Sequence, residues 1–380
     1  MNIEKDLFRY TDDIGPLKII HVYEPSIQLK AILVVDNVAR GPSIGGLRLA
    51  PDVNTEECYR LARAMTLKNA AADLHHGGGK SVMFGDPNMP KPEKEQLIRC
   101  FAKAVRNDEE YIFGPDMGTD EECMAWVKDE IGRAVGLPRE IGGIPLDEIG
   151  ATGWGLTHST EVALEFCKLK LEDARFAVQG FGAVGKHSAR FLSEKGAVMV
   201  AAADSKGAIH NPEGIDVNEL IKLKDDGVSV SNYSGGHPIA RDAIIDVECD
   251  IWIPAARPDA INENNVGRLR TKLVVSGANI PITLGAEKVL AEKGIICVPD
   301  FIANAGGVIC AAMEYRGASE SEAFSAIEEK LRRNTRQVLE YAANNNILPR
   351  QAALELAMKR VRKAMSFRRF SSFSSAPNFV

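Results

Sequence analysis

The sequence predicts an α/β protein of two domains, the second a doubly wound parallel sheet built to hold a dinucleotide. Three observations carry this. A strand, a glycine fingerprint and a helix follow one another without a gap between residues 175 and 195. The second half alternates short apolar strands with helical patterns, the rhythm of parallel α/β sheets. The chain is also long enough, at 380 residues, to bury two separate cores.

The fingerprint comes first. Arg175-Phe-Ala-Val-Gln179 reads as a strand, and Gly180-Phe-Gly-Ala-Val-Gly185 follows it. Gly180 is expected to make the tight turn, Gly182 to let the backbone approach a pyrophosphate, and Gly185 to allow close helix–strand packing. Ala183 and Val184 open a helix whose amino terminus faces the phosphates. The next strand, residues 197–203, runs into Asp204, the acid that such a fingerprint calls for about 20 residues on. Asp204 is expected to bond both hydroxyls of the adenosine ribose and to repel a 2′-phosphate, which favours NAD. Ser205 and Lys206 follow at once and soften that choice, so NADP stays open. Asp250-Ile-Trp-Ile253 and Leu273-Val-Val275 read as further strands. They lead to loops of small residues, Pro254-Ala255-Ala256 and Gly277-Ala278-Asn279, where a dinucleotide lies in a Rossmann domain. Residues 295–298 form one more strand before Asn304-Ala-Gly-Gly307. Residues 319–345 and 349–367 read as amphipathic helices.

The first half is organised around Lys68 to Lys80. Residues 56–73 have helical spacing of Cys58, Leu61, Ala62 and Met65, with Asn54 and Glu57 as an amino-terminal cap. Lys68 falls in the last turns, where a cation is favoured. Gly77-Gly-Gly79 reads as a loop that brings backbone close to a ligand, and residues 81–84 as a strand fixing Lys80. Two lysines beside a loop also fit a plain solvated surface. A lysine buried near a second cation has a lowered pKa and becomes a general base. The carboxylate partner that favours this second reading is Asp116, in a strand-to-helix loop between Gly114 and Gly118, although a lone aspartate there often serves only the turn. Thr119 and Glu122 read as the capping box of the next helix. Upstream, residues 27–36 read as a strand and residues 40–48 as a loop. In that loop Gly45 and Gly46 form either an anion-binding nest or a simple turn. Residues 136–150 are rich in glycine and proline and read as the hinge.

Composition narrows the function classes. A net charge of −6 with 6% aromatics does not suggest a nucleic-acid surface or a polybasic membrane anchor. No apolar run reaches transmembrane length. The seven scattered cysteines suggest reduced thiols in the cytoplasm, and neither they nor the seven histidines show metal-ligand spacing, so no metal is expected.

Lys68, Gly77-Gly-Gly-Lys80, Gly114-Pro-Asp-Met-Gly-Thr119, the fingerprint and Asn304-Ala-Gly-Gly307, in this order, resemble the glutamate/leucine/phenylalanine/valine dehydrogenase family over about residues 20 to 365. The resemblance implies a substrate domain followed by a Rossmann domain, with carboxy-terminal helices returning to the first. The corresponding limits are 1–140, 141–330 and 331–367, with a tail at 368–380. It further implies reversible oxidative deamination of an L-amino acid to a 2-oxo acid and ammonia, and a homo-oligomer, hexamer or octamer. Lys80 resembles the lysine that activates water, and Asp116 the aspartate that shuttles a proton to the substrate nitrogen. Lys68, helped by Gly45 and Gly46, resembles the α-carboxylate site. Thr152, Asn279 and Asn304 look like contacts at the nicotinamide end, and Ala255 and Ala256 like dinucleotide contacts. The side-chain pocket is expected to include Ile44, Gly114, Val308 and Ala311. In glutamate-specific members a lysine and a serine stand where Ile44 and Ala311 stand here. A glutamate carboxylate beside these apolar residues lacks a partner, so a hydrophobic amino acid is expected, with glutamate as the alternative. A non-catalytic NAD-binding sensor is the reading from another class.

Overall fold

The computed structural model describes residues 8–367, and the Phe/Ser-rich tail expected at 368–380 lies outside them. The chain forms two compact units. Of the described residues, the first comprises 8–145, Cys310–Ala323 and 356–367; the second comprises Leu146–Ile309 and Phe324–Glu355. The boundary at Pro145 falls within the stretch 136–150.

The first unit begins with strands β1 (Lys18–Glu24), β2 (Leu29–Asn37) and β3 (Ser43–Ala50), then helix α1 (Thr55–Ala71) and β4 (Gly77–Phe84). Helix α2 (Lys91–Ala104), β5 (Tyr111–Pro115) and α3 (Glu121–Ile131) follow. The strands form one sheet in the order β1-β2-β4-β3-β5. Strands β1, β2 and β4 pair antiparallel, while β3 lies parallel to both β4 and β5. One face packs a core that includes Leu33, Leu47, Met83, Phe101 and Phe113. The other carries a smaller cluster under α1, with Val34, Cys58, Ala62 and Val82.

Two segments read as glycine loops are strands. Gly77-Gly-Gly79 lies inside β4, and Gly45-Gly46 inside β3. The reason is close backbone packing, which glycine alone permits. A Cβ on Gly78 would meet Thr66 N of α1 at 2.0 Å, one on Gly77 would meet Asn37 O at 1.8 Å, and one on Gly45 would meet Gly79 O at 1.9 Å. Helix α1 therefore lies directly on β4. Its start is capped as the sequence indicates, with Asn54 Oδ1 accepting from Glu57 N. At its end, Arg360 donates to the carbonyls of Ala70 and Ala71 at 2.9 and 2.8 Å, satisfying carbonyls that a helix terminus leaves open.

The second unit opens with α4 (Leu146–Ile149) and α5 (Ala151–Phe166), followed by β6 (Arg175–Gln179), α6 (Ala183–Glu194), β7 (Val198–Ala203) and β8 (Ala208–His210). Helix α7 (Val217–Asp225), β9 (His237–Ile239), β10 (Ile251–Pro254), β11 (Leu273–Val275), α8 (Leu284–Glu292), β12 (Ile296–Val298) and α9 (Asp300–Ala303) complete it. The sheet order is β12-β11-β10-β6-β7-β8-β9. Strands β12 to β7 are parallel and the last two antiparallel. The order reverses around β6, which puts a topological switch point at the glycine fingerprint.

Helices α10 (Gly306–Tyr315), α11 (Glu320–Asn345) and α12 (Pro349–Met365) end the described chain. The chain rejoins the first unit twice, over Cys310–Ala323 and again from Leu356, where a single return at residue 331 is expected. Residues 324–355 stay with the second unit because α11 is bound to α5. Arg332 pairs with Glu161, Thr335 Oγ1 donates to Ser159 Oγ, and Trp154 Nε1 donates to Phe324 O.

Candidate active site

Side chains alternate across a strand, and residues in register on neighbouring strands share a face. Ile44 stands across from Gly78 and Ile112, and Gly46 across from Gly114. Ile44, Gly46 and Arg48 of β3 therefore share a face with Lys80 of β4 and Gly114 of β5. Asp116, just beyond β5, closes over it.

Lys80 Nζ lies 3.0 Å from Asp116 Oδ2, and Arg48 Nε donates to that same oxygen at 2.8 Å. Arg48 also binds Glu57 of α1. Lys80 is only 5% exposed. Burial lowers its pKa below the usual lysine range even though Asp116 pulls the other way, and the Arg48 charge lowers it further. Burial pushes Asp116 up, but Lys80 and Arg48 outweigh it and hold the carboxyl below its ordinary value. The result is a carboxylate and a lysine with a reduced proton affinity in direct contact, which is the arrangement that acid–base chemistry requires.

Arg48 takes the part expected of Lys68 as the neighbouring cation. The sequence reading missed it because residues 40–48 looked like a loop; as a strand, Arg48 falls on the Gly46 face by alternation. Lys68 stands half-buried in the last turn of α1. The anion-binding nest at Gly45 and Gly46 does not form, because neither residue has a positive φ and both belong to β3. A nest needs alternating-handed backbone. Gly46 instead keeps the site open: a Cβ there would come within 2.7 Å of Asp116 Cβ and 3.1 Å of Lys80 Nζ. Beneath the sheet, buried Tyr111 donates its hydroxyl to Gly45 O at 2.8 Å and meets Ser81 at 3.0 Å. The Thr119–Glu122 capping box is also replaced. Asp120 caps α3 through Cys123 N, while Thr119 Oγ1 donates to Leu47 O and accepts from Asp116 N. This hydroxyl fixes the Asp116 loop to β3. Ile44 and Ala311 are both buried, Val308 half-buried.

The fingerprint residues lie where the sequence indicates. Gly180 has φ +108°, and a Cβ there would strike the backbone of Ala255 and Ala256 at 2.7 Å; one on Gly185 would meet Gly180 O at 2.0 Å. Gly182 faces open space. A cavity of about 380 Å³ lies here, lined by Gly180, Gly182, Asp204, Ala255 and Ala256 among others. Gly182 leads into α6, so Ala183 and Val184 form that helix's first turn. Elsewhere in this unit, Asn304 Nδ2 donates to Asn279 Oδ1 at 2.9 Å, leaving buried Asn304 Oδ1 without a partner. Thr152 sits against Gly306 and Gly307. These residues fit a dinucleotide: glycine backbone for the pyrophosphate and an unused amide oxygen suited to a carboxamide N–H.

Asp204 departs from expectation. Its Oδ1 accepts from Lys206 N, Gly207 N and Ser229 Oγ at 2.8, 3.2 and 2.9 Å. Its Oδ2 accepts from Lys224 Nζ and Val230 N at 2.7 and 3.1 Å. Protein donors thus occupy the carboxylate expected to receive the ribose hydroxyls. They outweigh the effect of burial and hold its pKa far below normal. Lys224, on α7, is remote in sequence and carries no local motif.

Among the described residues, no group of three or more acidic, cysteine or histidine side chains could hold a metal ion, and no helix is long and apolar enough to cross a membrane.

Comparison with known proteins agrees with this architecture. Residues 142–369 match the glutamate/leucine/phenylalanine/valine dehydrogenase model, and residues 23–133 match the dimerisation domain of the same family. The chain is 38% identical to a glutamate dehydrogenase from Aeropyrum pernix, covering 87% of this chain and 85% of that protein. It is 34% identical to an NADP-specific glutamate dehydrogenase from Saccharolobus shibatae, over 87% and 83%. A hetero-hexameric glutamate dehydrogenase from Thermus thermophilus, solved with leucine bound, superposes with a TM-score of 0.81 at 28% identity, covering 93% and 90% of the two chains. The chain therefore belongs to the glutamate/leucine/phenylalanine/valine dehydrogenase family, oxidoreductases that act on the CH–NH2 group of amino acids with NAD(P).

Proposed function

We propose that this protein catalyses reversible oxidative deamination of L-glutamate to the 2-oxo acid and ammonia. The contact between Lys80 and Asp116 carries the mechanistic reading, and the names of its relatives support glutamate. In this mechanism Lys68 binds the α-carboxylate, and Asp116 takes a proton from the substrate ammonium. Thr152, Asn279 and Asn304 orient the nicotinamide, which when bound accepts the hydride from Cα. Lys80, neutral after losing its own proton, then takes a proton from the water that attacks the iminium carbon. Asp116 returns its proton to the departing nitrogen; as the C–N bond breaks and ammonia leaves, the carbinolamine hydroxyl gives its proton to the re-ionised Asp116 carboxylate and the C=O bond of the 2-oxo acid forms. Burial suits Lys80 to this because it brings the ammonium's pKa toward working pH. We also propose a homo-oligomer, supported by the dimerisation-domain match.

One observation favours a second reading, a hydrophobic amino acid. Ile44 and Ala311 are buried and apolar at the positions where the resemblance places a lysine and a serine in glutamate-specific members. An unpaired carboxylate there is costly. NADH or NADPH formation across a panel of L-amino acids separates the readings. Preference for glutamate supports the first. Turnover on leucine, valine or an aromatic, with glutamate at background, replaces it with the second, and Ile44→Lys with Ala311→Ser then shifts preference toward glutamate. Silence on every amino acid overturns both.

A further inference from the structure

We infer that the adenosine end of the cavity is built for a 2′-phosphorylated ribose, so that NADP(H) binds in preference to NAD(H). This rests on reading the cavity as the dinucleotide site. Discrimination in such domains turns on a carboxylate that accepts from the two ribose hydroxyls. Asp204 stands in that place, yet Lys206 N, Gly207 N, Ser229, Lys224 and Val230 N already converge on it. An ionised carboxylate offers about four lone-pair sites. Taking a ribose diol therefore requires Asp204 to give up bonds that hold β7, α7 and the segment at Ser229 together.

Most of the other charged and hydroxyl groups around the cavity are donors. Ser205, Lys224, Arg241 and Arg257 all line it, with Asp242 the second carboxylate. An ammonium has three donors, and Lys224 directs one bond at Asp204. Arg241 pairs through Nε with exposed Asp242 at 3.1 Å, which leaves its terminal nitrogens available. Arg257 is exposed. The lining thus carries three cations against two carboxylates, one of them saturated by donors. A phosphate monoester, with a charge of roughly −1.5 to −2 and three acceptor oxygens, matches this surface better than a neutral diol does.

The test is calorimetric titration of the full chain with adenosine 2′,5′-bisphosphate and with 5′-AMP, which isolates the adenosine end from catalysis. The expected result is binding of the bisphosphate at least about tenfold tighter, the scale of one charge-assisted hydrogen bond, with the difference shrinking as salt is raised. Arg241→Ala is expected to weaken the bisphosphate several-fold and leave 5′-AMP unchanged; it tests the idea without touching the Asp204 cluster. Lys224→Ala is expected to do the same more strongly if the variant retains the wild-type melting profile. Equal or tighter binding of 5′-AMP overturns the inference, as does a bisphosphate affinity unmoved in Arg241→Ala and in folded Lys224→Ala. Binding of neither fragment overturns the dinucleotide reading of the cavity, and the inference with it.

Discussion

Replacing Arg48 with methionine should move the acid limb of the deamination pH profile upward. Arg48 Nε and Lys80 Nζ bind the same oxygen of Asp116 at 2.8 and 3.0 Å, so the two nitrogens lie within about 6 Å of each other. Two like charges at about 6 Å repel by about 0.7 kcal/mol at the dielectric constant of water and by about 2.8 kcal/mol at an effective value of 20. Removing the arginine therefore stabilises protonated Lys80 and raises its pKa. Asp116 loses a cation and also rises. Both proposed bases then need a higher pH to be in their active form. The assay is kcat/KM for deamination against pH, which reports the free enzyme and free substrate; the substrate ammonium titrates identically in both proteins and cancels from the comparison. Methionine keeps much of the buried volume without the charge, and Arg48→Lys, which keeps the charge, should leave the limb near its wild-type position. A limb that stays put in Arg48→Met, or moves to lower pH, refutes the electrostatic account of the site.

Three other outcomes follow from the same geometry. Lys80→Ala should remove turnover by a factor of about 100 or more while dinucleotide binding, measured by fluorescence titration, persists; near-normal turnover refutes Lys80 as the base. Gly78→Ala should destabilise the protein by about 3 kcal/mol or more, because its Cβ meets backbone of α1 at 2.0 Å. Gly267→Ala, with nothing within 4 Å, should stay within about 0.5 kcal/mol in the same denaturation series. Asp204→Asn should cost about 2–4 kcal/mol, since it turns an amide NH2 toward donors that the carboxylate accepts. The Asp204 pKa is depressed in the fold, so wild type holds its advantage above the unfolded aspartate value of about 3.9 and loses it as pH falls toward the folded value. An advantage that grows on acidification contradicts this assignment.

Local signals determined a good deal of this protein. The fingerprint between β6 and α6 has a one-residue geometry for each glycine, and only a strand–turn–helix satisfies it. The α1 cap at Asn54 and the apolar spacing behind it likewise depend on neighbours in the chain. The types and spacing of Lys80 and Asp116 marked a candidate acid–base pair before any fold was known. Tertiary structure decided the rest. Gly45, Gly46 and Gly77-Gly-Gly79 have poor strand propensity and are strand because their neighbours pack where a Cβ would stand: backbone at Gly45, Gly77 and Gly78, Asp116 and Pro115 at Gly46, and the Tyr111 ring and Ser43 at Gly79. Once β3 is a strand, Arg48 reaches Asp116, a contact 68 residues apart in sequence. The length of chain held by the second unit depends on ion pairs between α11 and α5, again invisible to local pattern. Asp204 makes the point most sharply: its position is a sequence property, but the availability of its lone pairs depends on Lys224, Ser229 and Val230, which only the folded chain brings to it.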